Sequence, residues 1–206
     1  NLTATASWLS SATSIASVTG TGLATGLTAG NATITASWSG ISSSATLTVK
    51  SNTASGSVTL VSTRAMTIPS VGVASPYSTT INAAGLSGVI SKVTVTLNNV
   101  THSWPHDINV MLAGPAGQKA LLMRHVGGGY SISDMDITLD DDTQAKMDNY
   151  RALKAGVYKP TNYGTVYRFA SPAPATPYPT KLSAFDGTNP NGTWSLYVMD
   201  DSSGDS

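Results

Sequence analysis

The sequence predicts an all-β protein made of two β-sandwich domains, with little or no helix. Thr, Ser, Gly, Ala and Val dominate the 206 residues, and all eleven acidic residues are Asp. Glu favours helices, whereas Thr and Val suit the pleated, half-buried surface of a strand. Several runs also alternate apolar and polar side chains with the two-residue period of a strand. Composition and periodicity therefore indicate the same fold class.

The charge distribution and the lack of cysteine restrict the function classes. Charged residues make up 11% of the chain, the formal net charge is +0 and no Lys/Arg run occurs, which argues against nucleic-acid binding. Because there is no cysteine, disulfides, Cys-ligated zinc and Cys nucleophiles are excluded. No apolar run is long enough for membrane insertion. A cysteine-free, Ser/Thr-rich β chain fits a bacterial protein exported to the cell surface or the medium.

Residues 1–49 are predicted to form the first domain, from short strands joined by tight turns. Three runs alternate apolar and polar residues: 2–8, 32–38 and 45–49. Four glycines punctuate the region between the first two runs: Gly20, Gly22, Gly26 and Gly30. Glycines at such spacing favour turns between strands. Residues 50–57 are rich in Ser, Thr and Gly and are predicted to be a flexible linker.

Residues 58–206 are predicted to form the second, larger sandwich. Its predicted strands are 89–97, 107–112, 118–124, 135–139 and 193–199. The segment 143–183 is long, irregular and rich in proline. We expect it to cross the surface of the sandwich, with one short helix within 143–153.

The last predicted strand follows a strong turn signal. Asn191 and Gly192 both tolerate positive φ, which suits a tight turn before a strand. Trp194, Leu196 and Val198 then alternate with other residues, so they are expected to share one face of the strand.

The first domain resembles the bacterial Ig-like domain of group 2. The resemblance rests on the order of five segments: Trp8-Leu-Ser-Ser-Ala, Ile15-Ala-Ser-Val18, Gly22-Leu-Ala-Thr-Gly26, residues 29–36 and residues 44–49. Members of this family usually begin with further strands before the segment that matches 2–8. The resemblance therefore implies an Ig-like domain whose opening strands are missing from this sequence.

The second domain resembles the P domain, the β-sandwich that follows the protease in proprotein convertases and recurs in bacterial secreted proteins. The matching residues occur in the family's order: Val93-Thr-Val-Thr-Leu97, Thr101-His102, Asp107-Ile-Asn-Val-Met-Leu112, Gly114-Pro-Ala-Gly117, Leu121-Leu122, Phe185-Asp-Gly187 and Asn191-Gly-Thr-Trp-Ser-Leu196 with Asp200. The resemblance implies a jelly-roll-like sandwich whose family leaves catalysis to a separate protease domain. The family continues after Asp200 with a final strand, so the sandwich is expected to be one strand short.

Two groups of aspartates are candidates for a calcium site, because Ca²⁺ takes oxygen ligands from flexible loops. The first group is Asp107, Asp186, Asp200, Asp201 and Asp205. The second group is Asp134, Asp136 and Asp140, with Asp141 and Asp142 beside them. Neither group has the ligand spacing of an EF-hand loop, and the alternative is that these acids form solvated turns. Asp107 begins a predicted strand and is expected to cap backbone amides or to face the Asp200 loop.

No catalytic constellation is predicted. The sequence has no Gly-x-Ser-x-Gly elbow, and none of its three histidines lies in a context that resembles a protease motif. His102 and His106 have the spacing of metal ligands on a helix, but Pro105 argues against a helix there. With Asp107 adjacent, a surface zinc or nickel site is one alternative for these histidines. The favoured expectation is structural, with His102 making a hydrogen bond across a strand end.

Glycan binding is a further hypothesis, because β-sandwiches bind sugars on exposed aromatic rings. Six aromatic residues lie in predicted loops: Trp104, Tyr130, Tyr158, Tyr163, Tyr167 and Tyr178. The alternative is that Tyr163, Tyr167 and Tyr178 pin the proline-rich segment to the sandwich.

The sequence therefore predicts a non-catalytic pair of extracellular modules from a bacterial surface or secreted protein, with a structural, display or adhesive role. A first alternative is a subunit of a fibre or sheath, in which an open sheet edge pairs head to tail with another protein or a second copy. A second alternative is an accessory domain of a subtilisin-like protease.

Overall fold

A computed structural model of the chain describes residues 6–49, 56–165 and 168–203. The chain divides into two compact units, residues 1–55 and 56–206. The described regular structure is β-strand throughout, apart from two short 3-10 helices. The all-β prediction is therefore confirmed.

The first unit is built on an antiparallel sheet. Its strands are β1 (Ser7–Ser10), β2 (Ala16–Val18), β3 (Ala24–Gly26), β4 (Gly30–Trp38) and β5 (Ile41–Val49). The sheet has the order β1-β4-β5, and β2 and β3 form a separate antiparallel pair. The alternating runs at 32–38 and 45–49 lie within β4 and β5, as their period predicts.

Two glycines of the first unit allow large side chains to lie against the backbone. Gly22 has a φ of 87°, and a Cβ there would lie 2.7 Å from the ring of Trp8. Gly30 has a φ of 149°, and a Cβ there would lie 2.7 Å from Cδ1 of Ile15. Only glycine satisfies both the positive φ and the close approach without strain.

The second unit contains two sheets. Its strands are β6 (Gly72–Val73), β7 (Thr79–Ala83), β8 (Val95–His102), β9 (Ile108–Ala113), β10 (Lys119–Arg124), β11 (Ile132–Leu139), β12 (Gly156–Tyr158), β13 (Thr161–Asn162) and β14 (Gly192–Asp200). One sheet has the order β13-β10-β9-β14-β6, with β7 also paired to β14, and the other has the order β12-β11-β8. The 3-10 helices are Pro105–Asp107 and Leu182–Phe185.

The main core of this unit contains side chains from both sheets. The six-stranded sheet contributes Ile108, Val110, Leu112, Leu122 and Val198, the three-stranded sheet contributes Leu97, Ile137 and Leu139, and Phe185 joins them from the second 3-10 helix. Trp194 and Leu196 pack against the same core. The predicted common face of Trp194, Leu196 and Val198 is therefore confirmed.

A second core covers the opposite face of the six-stranded sheet. Met111, Leu121, Tyr197 and Met199 lie in it, together with Phe169 and Tyr178 from the proline-rich segment. The rings of Phe169 and Tyr178 meet edge to face, with 5.5 Å between their centroids. Because both faces are covered, all six residues of β9 are buried. The proline-rich segment crosses the sandwich surface, as predicted, and it buries that surface.

The side chain of Asn191 anchors the segment that leads into β14. It accepts a hydrogen bond from the backbone N–H of Leu86 at 2.8 Å and donates one to the carbonyl of the same residue at 2.7 Å. One amide therefore joins two segments that are 105 residues apart.

Two predicted elements were wrong in position or type. The strand predicted at 89–97 begins at Val95 and continues to His102, because the backbone of Ile90 bonds instead to Gly187 and Thr188 in a loop. No helix forms within 143–153. There the carboxylate of Asp148 accepts the N–H groups of Tyr150 and Arg151, and such local bonds compete with helical ones.

Candidate functional site

All three histidines of the chain gather at one end of the second unit with three aspartates and an arginine. We call this group the His–Asp cluster; its members are His102, His106, Asp107, Arg124, His125, Asp200 and Asp201. The sheet topology brings them together, because β9 is antiparallel to both β10 and β14. The start of β9 therefore meets the last residues of those two strands, Arg124 and Asp200.

His102 and Asp200 form the buried part of the cluster. Nε2 of His102 lies 3.3 Å from Oδ2 of Asp200, and their side chains are 3% and 0% exposed. The backbone N–H of Trp104 donates to Nδ1 of His102 at 3.2 Å, so Nε2 is the nitrogen that carries a proton toward the carboxylate. The contact is an electrostatic pairing rather than an aligned hydrogen bond. His102 thus contacts the end of β14 from the end of β8, where the sequence predicted a hydrogen bond, but the contact there is an electrostatic pairing.

The side chain of Asp201 contacts two neighbouring residues at the end of β10. Its Oδ2 lies 3.1 Å from Nη2 of Arg124 and 3.4 Å from Nε2 of His125. Arg124 also donates through Nη1 to the carbonyl oxygens of Tyr163 and Thr165. The guanidinium, only 6% exposed, therefore connects the β14 end to the segment that follows β13.

The main chain of Asp107 faces the Asp200 loop. Its carbonyl oxygen accepts the N–H of Asp201 at 3.0 Å and the side-chain amide of Asn109 at 3.0 Å. Its carboxylate lies 3.3 Å from Nδ1 of His106. The His106 ring stacks on that of His125, with centroids 4.5 Å apart and planes 9° apart. The cluster is thus one connected network at the edge of the sandwich.

Mild acid is expected to destabilise the second unit through His125. Burial, and secondly the charge of Arg124, lower the pKa of His125 below its usual value, although Asp201 acts in the opposite direction. Below about pH 6.5, His125 of the unfolded chain binds a proton more readily than His125 of the folded chain does. The free energy of unfolding therefore falls as the pH falls from the pKa of His125 in the unfolded chain to its lower pKa in the folded chain. Above that pH range the contribution is fully present.

Urea denaturation of the native chain and of His125→Asn between about pH 7.5 and about pH 5.5 measures this effect, because carboxylates titrate mostly below that range. We expect the variant to lose part of the slope of stability against pH. Equal slopes for the two proteins would contradict the prediction.

The structure places Asp186 apart from Asp200 and Asp201. Asp186 lines a small cavity with Lys92, Asp141 and Asp142. Lys92 in turn pairs with Asp140, which directly follows β11. In the antiparallel β8–β11 pair, Leu139 lies opposite Val95 and Ile132 lies opposite His102. The two ends of β8 are therefore roughly 23 Å apart, with Lys92 just before the Val95 end and His102 at the other.

Three neighbouring aspartates around Lys92 are engaged by the protein itself. The Lys92 ammonium lies 2.9 Å from Asp140 and 2.6 Å from Asp142, which raises the pKa of Lys92. A backbone hydrogen bond from Asp142, and then Lys92, hold the pKa of Asp140 below its usual range. Asp141 accepts the N–H groups of Leu182 and Ser183 at 2.9 and 2.8 Å. These carboxylates therefore cap and neutralise local groups.

Asp134 and Asp136 belong to an irregular part of β11. Asp134 has a φ of 48°, and the register of β11 against β8 shifts on both sides of Met135. Oδ1 of Asp136 accepts the backbone N–H of Asn99 at 2.9 Å. This bond satisfies an N–H group that the irregular pairing of β8 and β11 leaves without a backbone partner. Asp140 lies six residues farther along the chain than Asp134, about 20 Å in an extended strand.

The calcium assignments stay predictions. Across residues 6–49, 56–165 and 168–203, no three His or Asp side chains are grouped so that they could hold a metal ion. Asp205 lies outside these described ranges.

The predicted loop aromatics have different surroundings. Trp104 and Tyr130 are 45% and 55% exposed, whereas Tyr178 is buried in the second core. The hydroxyl groups of Tyr158 and Tyr163 donate to backbone carbonyls. Tyr178 therefore pins the proline-rich segment to the sandwich, and Tyr167 lies outside the described residues.

Sequence reasoning missed Arg124 and His125 as members of the cluster. A signal was present, since these two polar residues end the buried run of β10 and all three histidines fall within residues 102–125. The same reasoning could not show that Asp201, far along the chain, would lie between them.

Comparison with known proteins places part of the chain beside a protein family. The model of the bacterial Ig-like domain, group 2, matches residues 3–49, which covers β1 to β5. No curated protein matches the chain. Within the described residues, no helix is both long enough and apolar enough to cross a membrane.

Proposed function

We propose that the chain is a non-catalytic pair of β-sandwich modules, carried outside the cell by a bacterial surface or secreted protein and used for structural, display or adhesive contacts. The observation that carries this proposal is the match of residues 3–49 to the bacterial Ig-like domain, group 2. Modules of this kind occur in bacterial surface proteins and are generally non-catalytic. The absence of cysteine agrees with that setting.

The construction of the first unit supports a spacer role. Its described buried residues have small side chains: Ser10, Ala16 and Ala32. Adjacent strands are therefore held together mainly by the backbone hydrogen bonds between them. β4 and β5 pair over nine residues each. A long antiparallel pair of this kind gives a regular, backbone-bonded framework, which suits a spacer.

The second unit is proposed to be a P-domain-like sandwich. The residues that carry the resemblance contact one another: the rings of Phe185 and Trp194 lie 5.0 Å apart, and Asp200 faces Ile108 in the β14–β9 register. His102, another residue of the pattern, contacts Asp200. The shared residues thus act together at the core and at the His–Asp cluster, which supports a common architecture.

In this proposal the His–Asp cluster is a structural closure. It joins the ends of β8, β10 and β14 and the start of β9 through His102, Arg124, Asp107, Asp200 and Asp201. Buried ion pairs of this type specify one arrangement of the loops they connect. The fibre subunit and the protease-associated domain stay predictions, because no contact among the described residues favours either one.

Labelling of intact cells tests the proposed location. An antibody raised against the 206-residue chain is expected to label unpermeabilised cells of the source bacterium, or to detect the protein in the culture medium. Protease added to intact cells is expected to remove the cell-bound signal. Labelling that requires permeabilisation, with a protease-resistant signal, would reject an extracellular module; a cytoplasmic marker protein serves as the control.

A further inference from the structure

A cavity of about 560 Å³ lies in the second unit and is used by neither the His–Asp cluster nor the proposed function. Its walls come from three stretches of chain, which include Lys146, residues 159–163 and residues 180–183. This volume falls within the range of sites that bind small molecules. The cavity adjoins the His–Asp cluster through Asn162, which pairs with Arg124 between β13 and β10, and through Tyr163, whose carbonyl oxygen accepts a bond from Arg124.

Three lysines line this cavity: Lys146, Lys159 and Lys181. The fold forces two of them together, since Lys146 and Lys159 face each other in a parallel bridge. Like charges held side by side repel. Within the described residues, no carboxylate forms an ion pair with any of the three.

The one acidic residue of the lining does not neutralise the lysines directly. Asp141 lies among the lining residues, but its two oxygens accept the N–H groups of Leu182 and Ser183. Three lysines thus share the lining with one carboxylate that is already hydrogen-bonded. A bound anion would relieve the repulsion among the lysines, which is the electrostatic complementarity of a specific anion site.

The remaining lining suits a ring that carries hydroxyl groups. Pro160 and Tyr163 supply apolar surface, and Thr161 and Asn162 supply polar groups. The hydroxyl of Tyr163 donates to the carbonyl of Met147 at 3.0 Å, which fixes its ring in place. The side-chain carbonyl of Asn162 makes no hydrogen bond, so an acceptor is left for a donor such as a sugar hydroxyl.

We propose that this lysine-lined cavity binds an acidic saccharide, a sugar chain that carries carboxylate groups. The lysines would pair with the carboxylates, and Tyr163 and Pro160 would contact the sugar ring. A free inorganic anion would use the charge but leave most of the volume and the aromatic surface unused. The proposal adds a ligand to the second unit and does not depend on where the chain is located.

Calorimetric titration of the full chain tests the proposal with three probes: an oligogalacturonate, a neutral oligogalactose of the same length, and inorganic phosphate. We expect the oligogalacturonate to bind, the neutral sugar not to bind, and phosphate to compete only weakly. Lys146→Gln and Lys181→Gln are each expected to weaken binding about fivefold, since each removes one charge near the ligand. At about 1 M salt the binding is expected to be largely lost.

Lys154→Gln is the matched control, because Lys154 is an exposed lysine that does not line the cavity. It removes the same charge and is expected to leave binding unchanged. Thermal unfolding of each variant checks the fold, and all are expected to unfold like the native chain. The proposal is overturned if the native chain does not bind the oligogalacturonate, if neutral sugar or phosphate binds as tightly, or if all three lysine variants weaken binding equally.

Discussion

Replacing His102 by alanine is expected to lower the free energy of unfolding by about 3 kcal/mol, because the buried carboxylate of Asp200 then loses the ring N–H that faces it. Both side chains are almost fully buried, at 3% and 0% exposure, so water cannot replace the lost contact. Urea denaturation measures the change as a lower midpoint at an unchanged slope. His102→Gln offers a side-chain N–H donor and is expected to recover part of the loss.

His106 provides a matched control for this experiment. Its Nδ1 lies 3.3 Å from Asp107, the same distance as in the His102–Asp200 pair, but its side chain is 30% exposed. His106→Ala is therefore expected to cost about 1 kcal/mol or less, because solvent screens an exposed pair. A loss as large as that of His102→Ala would show that burial does not decide the strength of these pairs.

A double-mutant cycle separates the pair from its surroundings. If the two groups act on each other, His102→Ala combined with Asp200→Ala should destabilise the protein by less than the sum of the single changes. If the losses in the free energy of unfolding from the two single changes were additive, the effect would come from packing alone. The interpretation of the His–Asp cluster as a closure of the sandwich would then lose its main support.

Truncating Phe185 to alanine is expected to cost about 3–5 kcal/mol, the usual range for a buried aromatic side chain in a core. The ring is 0% exposed and lies 5.0 Å from the ring of Trp194, tilted by 50°. It occupies the core between the two sheets, so its removal opens a cavity against β14. Chemical denaturation monitored by circular dichroism gives the loss directly.

Two further variants define the cause of that loss. Phe185→Leu keeps most of the apolar volume and is expected to cost about 1–1.5 kcal/mol. Tyr150→Ala removes an aromatic ring that is 78% exposed and is expected to change stability by no more than about 0.5 kcal/mol. If Phe185→Leu lowered the free energy of unfolding more than Phe185→Ala, the packing described for this core would be contradicted.

Much of the fold could be predicted from local patterns. The two-residue alternation of β4 and β5 and the common face of Trp194, Leu196 and Val198 depend only on neighbouring residues, and each is present in the structure. The turn predicted at Asn191-Gly192 is not found there, because Gly192 is already the first residue of β14. Two further predictions were wrong. The strand predicted to begin at residue 89 begins later, because the backbone of Ile90 bonds to a distant loop. The helix predicted within 143–153 does not form, because the side chain of Asp148 bonds to the local backbone. The P-domain resemblance remains an inference from sequence motifs.

The candidate site could be predicted only in part. Asp107 and Asp200 were singled out, but Arg124 and His125 were not, because their roles depend on Asp201, 77 residues from Arg124. Asp186 was grouped with Asp200 since both flank the last strand, yet the strand itself holds them apart. Sequence proximity to an element does not show at which end of it a side chain will lie.

By itself the sequence determined that this chain is β-structured and that its first 49 residues follow an Ig-like order, because composition and period act locally. Only the tertiary structure decided which charges meet. Antiparallel pairing of β9 with β10 and β14 placed Arg124 and Asp200 at one edge, and a single bridge set Lys146 beside Lys159. Strand register, which depends on long-range pairing, fixed both the His–Asp cluster and the lysine-lined cavity.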